Sequence, residues 1–183
     1  MFRFGDFRFS VAVVLFLLVG ILRGQAQQHH WVATNSDIRF FIKNAGLTVE
    51  GSFGQLTGTF VTSGASHLPV LVIGLAQVKS IQTGIGLRDL HLQGKEYFDA
   101  VNFPEIRMQL LGIQGKLAKF SVSIRGISKV YEMPFLWQQF GNKGQFVAEF
   151  KLNRRDFNVG GKSLLLSDEV LVKIKLDLRF VPQ

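Results

Sequence analysis

No cysteine occurs among the 183 residues, so the chain has neither a disulfide staple nor a thiolate nucleophile, and its stability must come from apolar burial. Histidine is confined to four positions, and two of them, His29 and His30, are adjacent rather than at a metal-binding spacing. No G-x-S-x-G or H-E-x-x-H string is present. Gly84-Ile85-Gly86 is a fragment of a dinucleotide fingerprint, but Asp89 stands where the third glycine belongs and no βαβ pattern surrounds it. Asp89 and Asp99 invite an acid/base reading, yet no nucleophile accompanies them. These absences argue against an enzyme, and neither a cofactor nor a metal is expected. Proline is limited to four residues, and there is no Pro-rich linker, repeat or low-complexity tract to divide the chain.

Clustered basic charge is also missing. The net charge is +8 and the pI about 10.1, but no Lys/Arg-rich stretch exists; the densest pair, Arg154-Arg155, is flanked by Asp156. No aromatic-basic RNA-recognition string is present, so nucleic acid is excluded as a partner. The cations sit singly on alternate positions, as on a solvated sheet face. Two roles for the charge stay open: keeping a Phe-rich chain soluble, or a weak contact with anionic membrane surfaces.

The longest apolar run, Val11–Leu22, has twelve residues, short of the roughly 20 that cross a bilayer as a helix. It follows Arg3 and Arg8 and precedes Gly24-Gln25-Ala26, which is the layout of a signal peptide. Cleavage after Ala26 is expected, giving a periplasmic or secreted protein; Arg23 keeps a signal anchor as the alternative. The remaining residues, 27–183, make one domain of net charge +6. Gln27-Gln28-His29 would then present an amine, two amides and an imidazole, a set suited to Cu(II) or Ni(II). An N-terminal Gln cyclises and blocks that amine, so a disordered leader is expected there.

Beyond the leader the dominant period is two. Glu169–Val181 places Val170, Val172, Ile174, Leu176, Leu178 and Phe180 on one face and Lys173, Lys175, Asp177 and Arg179 on the other. Residues 119–125, 146–152 and 37–43 repeat the pattern. Strands are expected at 37–43, 47–61, 70–81, 105–111, 117–125, 127–137, 145–153 and 169–180, with bends at Gly51, Gly54, Gly58 and Gly126 and a hairpin at Gly141–Gly144. The expected fold is all-β: an eight-stranded antiparallel barrel, since closure removes exposed edges, with a short helical connection near 88–98. A barrel of eight strands either fills with its own side chains or holds one ligand, and periodicity leaves both open.

The stretch Ser80–Gln109 carries the string S-I-x-T-(x)4-R-D-x-H-L-(x)4-Y-F-D-(x)3-F-P-x-I. Together with Ser36–Gly46, Val49–Phe53, Val122–Lys129 and Met133-Pro134 it resembles the YceI-like family of exported, lipocalin-like barrels that bind polyisoprenoids or other long-chain lipids. The resemblance spans residues 31 to 180. One departure is Asn35 before Ser36, where many members carry His.

The resemblance implies a hollow barrel holding a long-chain isoprenoid or fatty lipid. The alternatives are an enzyme or stress-related factor acting on a similar molecule, or a packed structural barrel. The residues expected to line a tunnel are Phe40, Ile42 and Phe53, then Phe120, Val122 and Ile124, then Val172 and Ile174, with Phe98 and Phe103 closing the mouth as lid or plug. Arg88 and His91 are the head-group candidates. Their structural alternative is a locked turn, with Asp89 as cap and Arg88 paired to Asp99.

Overall fold

Alternating apolar and polar residues form half-buried strands, and the computed structural model, which describes residues 27–182, consists mainly of such strands. In chain order they are β1 (Gln28–Asn44), β2 (Leu47–Phe53), β3 (Leu56–Ser63), β4 (Pro69–Gln77), β5 (Ile81–Gln82), β6 (Glu105–Gln114), β7 (Leu117–Ile124), β8 (Ile127–Phe140), β9 (Lys143–Asn153) and β10 (Leu166–Val181). One helix, α1 (Gly86–Gln93), lies between β5 and β6. The sheet order is β10-β9-β8-β7-β6-β4-β3-β1-β2-β5, and a further β10–β1 ladder closes it. Because β2 and β3 are halves of one bent strand and β5 only a short addition to β2, the wall is an eight-stranded antiparallel barrel. The proposed signal segment, residues 1–26, lies outside the described residues.

Strand faces follow the alternation. On β9, Phe146, Ala148, Phe150 and Leu152 are buried, and on β7, Ala118, Phe120, Val122 and Ile124 are buried. The outer face carries cross-strand ion pairs, Lys173–Glu149 at 3.2 Å and Lys119–Glu132 at 3.2 Å, both exposed and worth little individually.

The end of the barrel that carries Gln28 and Val181 is closed by an aromatic floor. Trp31 meets Trp137 edge-on at 5.2 Å, Trp137 meets Phe60 at 4.9 Å, and Phe60 meets Phe146 at 5.7 Å. The Trp31 Nε1–H donates to Thr62 Oγ1 at 3.0 Å, so the buried indole is satisfied. Gly144 makes this packing possible: a Cβ there would stand 2.2 Å from Trp137 Cη2 and 3.1 Å from Trp31 Cζ3.

Two expectations are corrected here. Gln27 was expected to open a disordered leader, but β1 begins at Gln28, where Gln28 to Trp31 pair with Ser63 to Phe60 and His30 onward pairs with β10. The long partner strand β10, extending to Val181, and the burial of Trp31 hold this segment in the wall. The single strand expected over 47–61 is interrupted at Gly54–Gln55, where Ser80 captures the chain: its carbonyl accepts from Gly54 N at 2.9 Å and its Oγ from Gln55 N at 3.0 Å.

That capture opens a seam. β1 pairs with β3 over Gln28–Trp31 and with β2 over Arg39–Asn44, and both ladders share one register. Between them Val32–Ile38 and Phe53–Thr59, which would face each other if zipped, make no rungs. Val32, Ala33, Thr34 and Asn35 are all exposed, as are Thr57, Gly58 and Thr59 opposite.

On the outer face of β10 the Asp177 carboxylate accepts from Gln145 Nε2 at 2.8 Å and Asn35 Nδ2 at 3.3 Å. These hydrogen bonds, Gln145 first, hold its pKa below the ordinary value. A depressed folded pKa stabilises the protein above the unfolded value of about 3.9 and ceases to do so as pH falls through the folded value. Asp177→Asn should therefore flatten the loss of melting temperature between about pH 5 and pH 2; equal slopes in the two proteins would show the contacts to be without effect. Gly144→Ala should cost about 1–3 kcal/mol by overpacking. Gly112→Ala, where no atom lies within 4 Å, should be near neutral in the same urea titration.

Candidate ligand-binding cavity

The inward faces of the strands do not meet, and a cavity of about 510 Å³ remains between them. Its floor is Trp31, Phe60 and Phe146. Its walls are almost wholly apolar, with Ile38, Phe40, Met108, Phe120, Val172 and Ile174 among them. An aromatic series climbs one side: Phe40 lies 5.8 Å from Phe53, which lies 6.3 Å from Phe98 under the roof. Gly51 permits the position of Phe40, since a Cβ on that cross-strand partner would stand 2.1 Å from the ring.

Of the expected lining residues, Phe40, Ile42, Phe53, Phe98, Phe120, Val122, Ile124, Val172 and Ile174 all border this cavity. Phe103 does not. Its ring seats against Gly126, with Cε1 3.0 Å from where a Cβ would be. That glycine has φ +73° in the β7–β8 turn, and its bare backbone leaves room for the ring.

The mouth is roofed by α1 and the loop after it. Arg88 and His91 both border the cavity there. Arg88 donates from Nε to Thr83 Oγ1 at 2.7 Å and from Nη2 to Thr83 O at 2.6 Å. Asp89 Oδ1 accepts from Thr83 N at 2.8 Å and from its hydroxyl at 2.5 Å. Thr83 is thus clamped by two consecutive helix residues, which fixes α1 over the barrel end. The expected Arg88–Asp99 pair does not form; Asp99 is buried and accepts from Asn102 Nδ2 at 2.9 and 3.1 Å. Arg88 Nη1 has no acceptor among the described residues. His91 is exposed and packs edge-on against Tyr97 at 4.9 Å.

One organising residue escaped the sequence reading, which treated Arg154 only as half of a basic pair. Its side chain is 4 % exposed and borders the cavity. It donates to the carbonyls of Val159 and Gly160 at 2.7 Å, Gly161 at 3.1 Å and Ser167 at 2.9 Å, and meets Asp168 Oδ1 at 2.8 Å. The guanidinium folds the whole 158–168 segment around itself. The signal was present: Phe146, Ala148, Phe150 and Leu152 alternate inward, and the next inward position is Arg154.

Comparison with known proteins gives a consistent assignment. The family model for the YceI-like domain matches residues 30–178. No curated protein sequence matches the chain. Among solved structures, BcnA of Burkholderia cenocepacia superposes with a TM-score of 0.70 at 21% identity, covering 78% of this chain and 95% of its own. The YceI protein of Campylobacter jejuni gives 0.68 at 20%, covering 74% and 86%. A polyisoprenoid binding domain from Saccharophagus degradans, implicated in plant cell wall breakdown, gives 0.67 at 14%, covering 82% and 97%. At these identities the likeness establishes the fold.

Ile124 is 7 % exposed and faces the cavity, so its replacement tests whether the space is used. Ile124→Trp should fold, at a cost within about 1–3 kcal/mol, because the indole enters empty volume. It should lose binding of a long apolar chain in a fluorescence titration, whereas Phe103→Ala, away from the cavity, should retain it. Full binding by the folded Trp variant would remove this position from the site.

Proposed function

Since the chain belongs to the YceI-like domain family, we propose that it is an exported carrier that holds one long-chain isoprenoid, or another lipid of similar length, in its barrel. The observation that carries this reading is the hollow interior. Its 510 Å³ falls within the range of about 300–1,000 Å³ typical of small-molecule sites, and its wall offers almost nothing but hydrocarbon. A chain without polar atoms fits such a space because no hydrogen bond is left unmade on either side. Below the mouth the wall carries the hydroxyls of Ser36, Thr57 and Thr59 but no charge, whereas Arg88, His91 and Arg154 stand at the mouth, so the ligand's polar end belongs there, beside Arg88 and His91. The unengaged Nη1 of Arg88 supports a contact with a phosphate or carbonyl.

The same arrangement favours binding over catalysis. Arg154, Thr83 and Asp89 use their hydrogen bonds on the chain itself, and Arg88 does so with Nε and Nη2, keeping only Nη1 for a ligand. For export, the support is Arg3, Arg8, the Val11–Leu22 run and Gly24-Gln25-Ala26, with removal of residues 1–26 and a periplasmic or secreted product.

Mass spectrometry of the protein purified from its native compartment tests both parts. The expected result is a chain starting at Gln27, in open or cyclised form, with a long-chain lipid released on denaturation. After delipidation, added polyisoprenoid should raise the melting temperature by mass action, and calorimetry should give a negative heat-capacity change. Protein that carries no lipid and shows no shift with any long-chain lipid would refute the carrier. An intact Met1 would refute cleavage alone.

A further inference from the structure

Three segments surround the mouth, and hydrogen bonds tie them in series. Ala45 N, in the β1–β2 turn, donates to Leu165 O at 2.8 Å, and Gly160 N donates to Glu96 O, after α1, at 2.8 Å. On and beside these segments sit the most exposed apolar side chains of the described residues. Seven are at least 66 % exposed, and six of these belong to the mouth end: Leu47, Leu87, Leu90, Val101, Leu164 and Leu165. The seventh, Phe140, is at the far end. Leu165 also borders the cavity, so the exposed hydrocarbon of the rim runs without interruption into the hydrocarbon of the interior.

Each of the three segments also carries one lysine, Lys43, Lys95 and Lys162, with no carboxylate within salt-bridge distance among the described residues. The nearby carboxylates of Glu50, Asp168 and Glu169 are each paired, with Arg39, with Arg154 and Arg155, and with Lys151. Asp89 and Asp99 accept from Thr83 and Asn102, and Glu96 and Asp156 have no ion pair among the described residues. Soluble proteins keep large exposed apolar patches for a partner, and apolar residues interleaved with lysines match the acyl boundary and anionic head groups of a bilayer.

We propose that this rim docks the barrel, mouth down, on an anionic membrane surface, where the cavity loads and unloads. The proposal rests on the carrier reading, and physical chemistry makes it necessary for a long ligand. Each methylene left in water lowers the desorbed population about fourfold, so a chain of several isoprene units does not reach a distant protein through solvent. A rim continuous with both the bilayer and the cavity spares the chain that exposure.

The test uses the whole barrel and two vesicle compositions, phosphatidylcholine alone and phosphatidylcholine with 30% phosphatidylglycerol. Wild type should float with the anionic vesicles, and less with the neutral ones. The triple variant Leu47→Asp, Leu87→Asp, Leu164→Asp, none of which borders the cavity, should float at least tenfold less. It should still bind a polyisoprenoid presented in detergent micelles, and Phe140→Asp should behave as wild type. Because the chain has no cysteine, Leu164→Cys labelled with bimane provides a second readout, a blue shift on adding anionic vesicles. Wild type that ignores both vesicles, or a triple variant that floats equally, overturns the proposal. Self-association that the same substitutions abolish, without vesicle binding, would assign the rim to a second copy and also overturn it. Failure of the micelle-presented lipid to bind wild type would instead count against the carrier reading, with flotation judged separately.

Discussion

Pairing between β1 and β10 converts a twisted antiparallel sheet into a closed wall. The ladder runs from His30↔Val181 to Asn44↔Leu166, joining the two ends of the described chain. Without it both strands would be long edges, each offering a row of unpaired backbone groups to another chain. Every other feature depends on this closure. The floor exists because it brings Trp31 beside Phe180 at 5.7 Å, and the cavity exists because the wall is continuous on that side. The contact is also the most distant in sequence, so its loop-closure entropy must be met before the barrel gains the reward, which makes folding slow.

The polar groups near the mouth show how an apolar cavity is given a fixed opening. Charges and hydroxyls placed there must be satisfied, and the protein satisfies them with its own backbone. Arg154 gathers carbonyls from 159 to 167, while Thr83, Arg88 and Asp89 bind one another. Such charge-assisted bonds are strong where water is scarce and leave the loops little freedom to collapse inward. The mouth is therefore held open by hydrogen bonds, whereas the floor is sealed by van der Waals packing.

Alternation made the wall legible, because a period of two both identifies a strand and assigns its faces. Phe120, Val122, Ile124, Val172 and Ile174 were placed from that rule alone, and they border the cavity. The rule gives no direction once the chain leaves a strand. Phe103 lies in such a segment, and its position depends on a bare glycine, Gly126, more than twenty residues away. His29 was misjudged because polar residues before a strand look like a leader, and only the length of β10 opposite shows that they are paired. Arg88 raised a different difficulty. Charge pairing suggested Asp99, but Thr83 is five residues away and offers both a hydroxyl and a carbonyl, so the local partner prevails. The β9 alternation, carried two residues further, points Arg154 inward, against the usual outward placing of a guanidinium.

The unzipped stretch between β1 and the bent second strand has a mechanical meaning. Along the β1–β10 and β9–β10 ladders, widening the barrel would break backbone hydrogen bonds over nearly the whole strand length. Here Val32–Ile38 and Phe53–Thr59 already lack rungs with each other, and only the four pairs from Gln28 to Trp31 hold β1 to β3. On this side the circumference midway up the barrel is thus set by the bending of two strands, which is soft, while above and below it the ladders Arg39–Asn44 and Gln28–Trp31 are stiff. A barrel of this kind is a sleeve with an expansion joint partway up one side. Separating the two segments there costs no backbone hydrogen bond between them, because they share none.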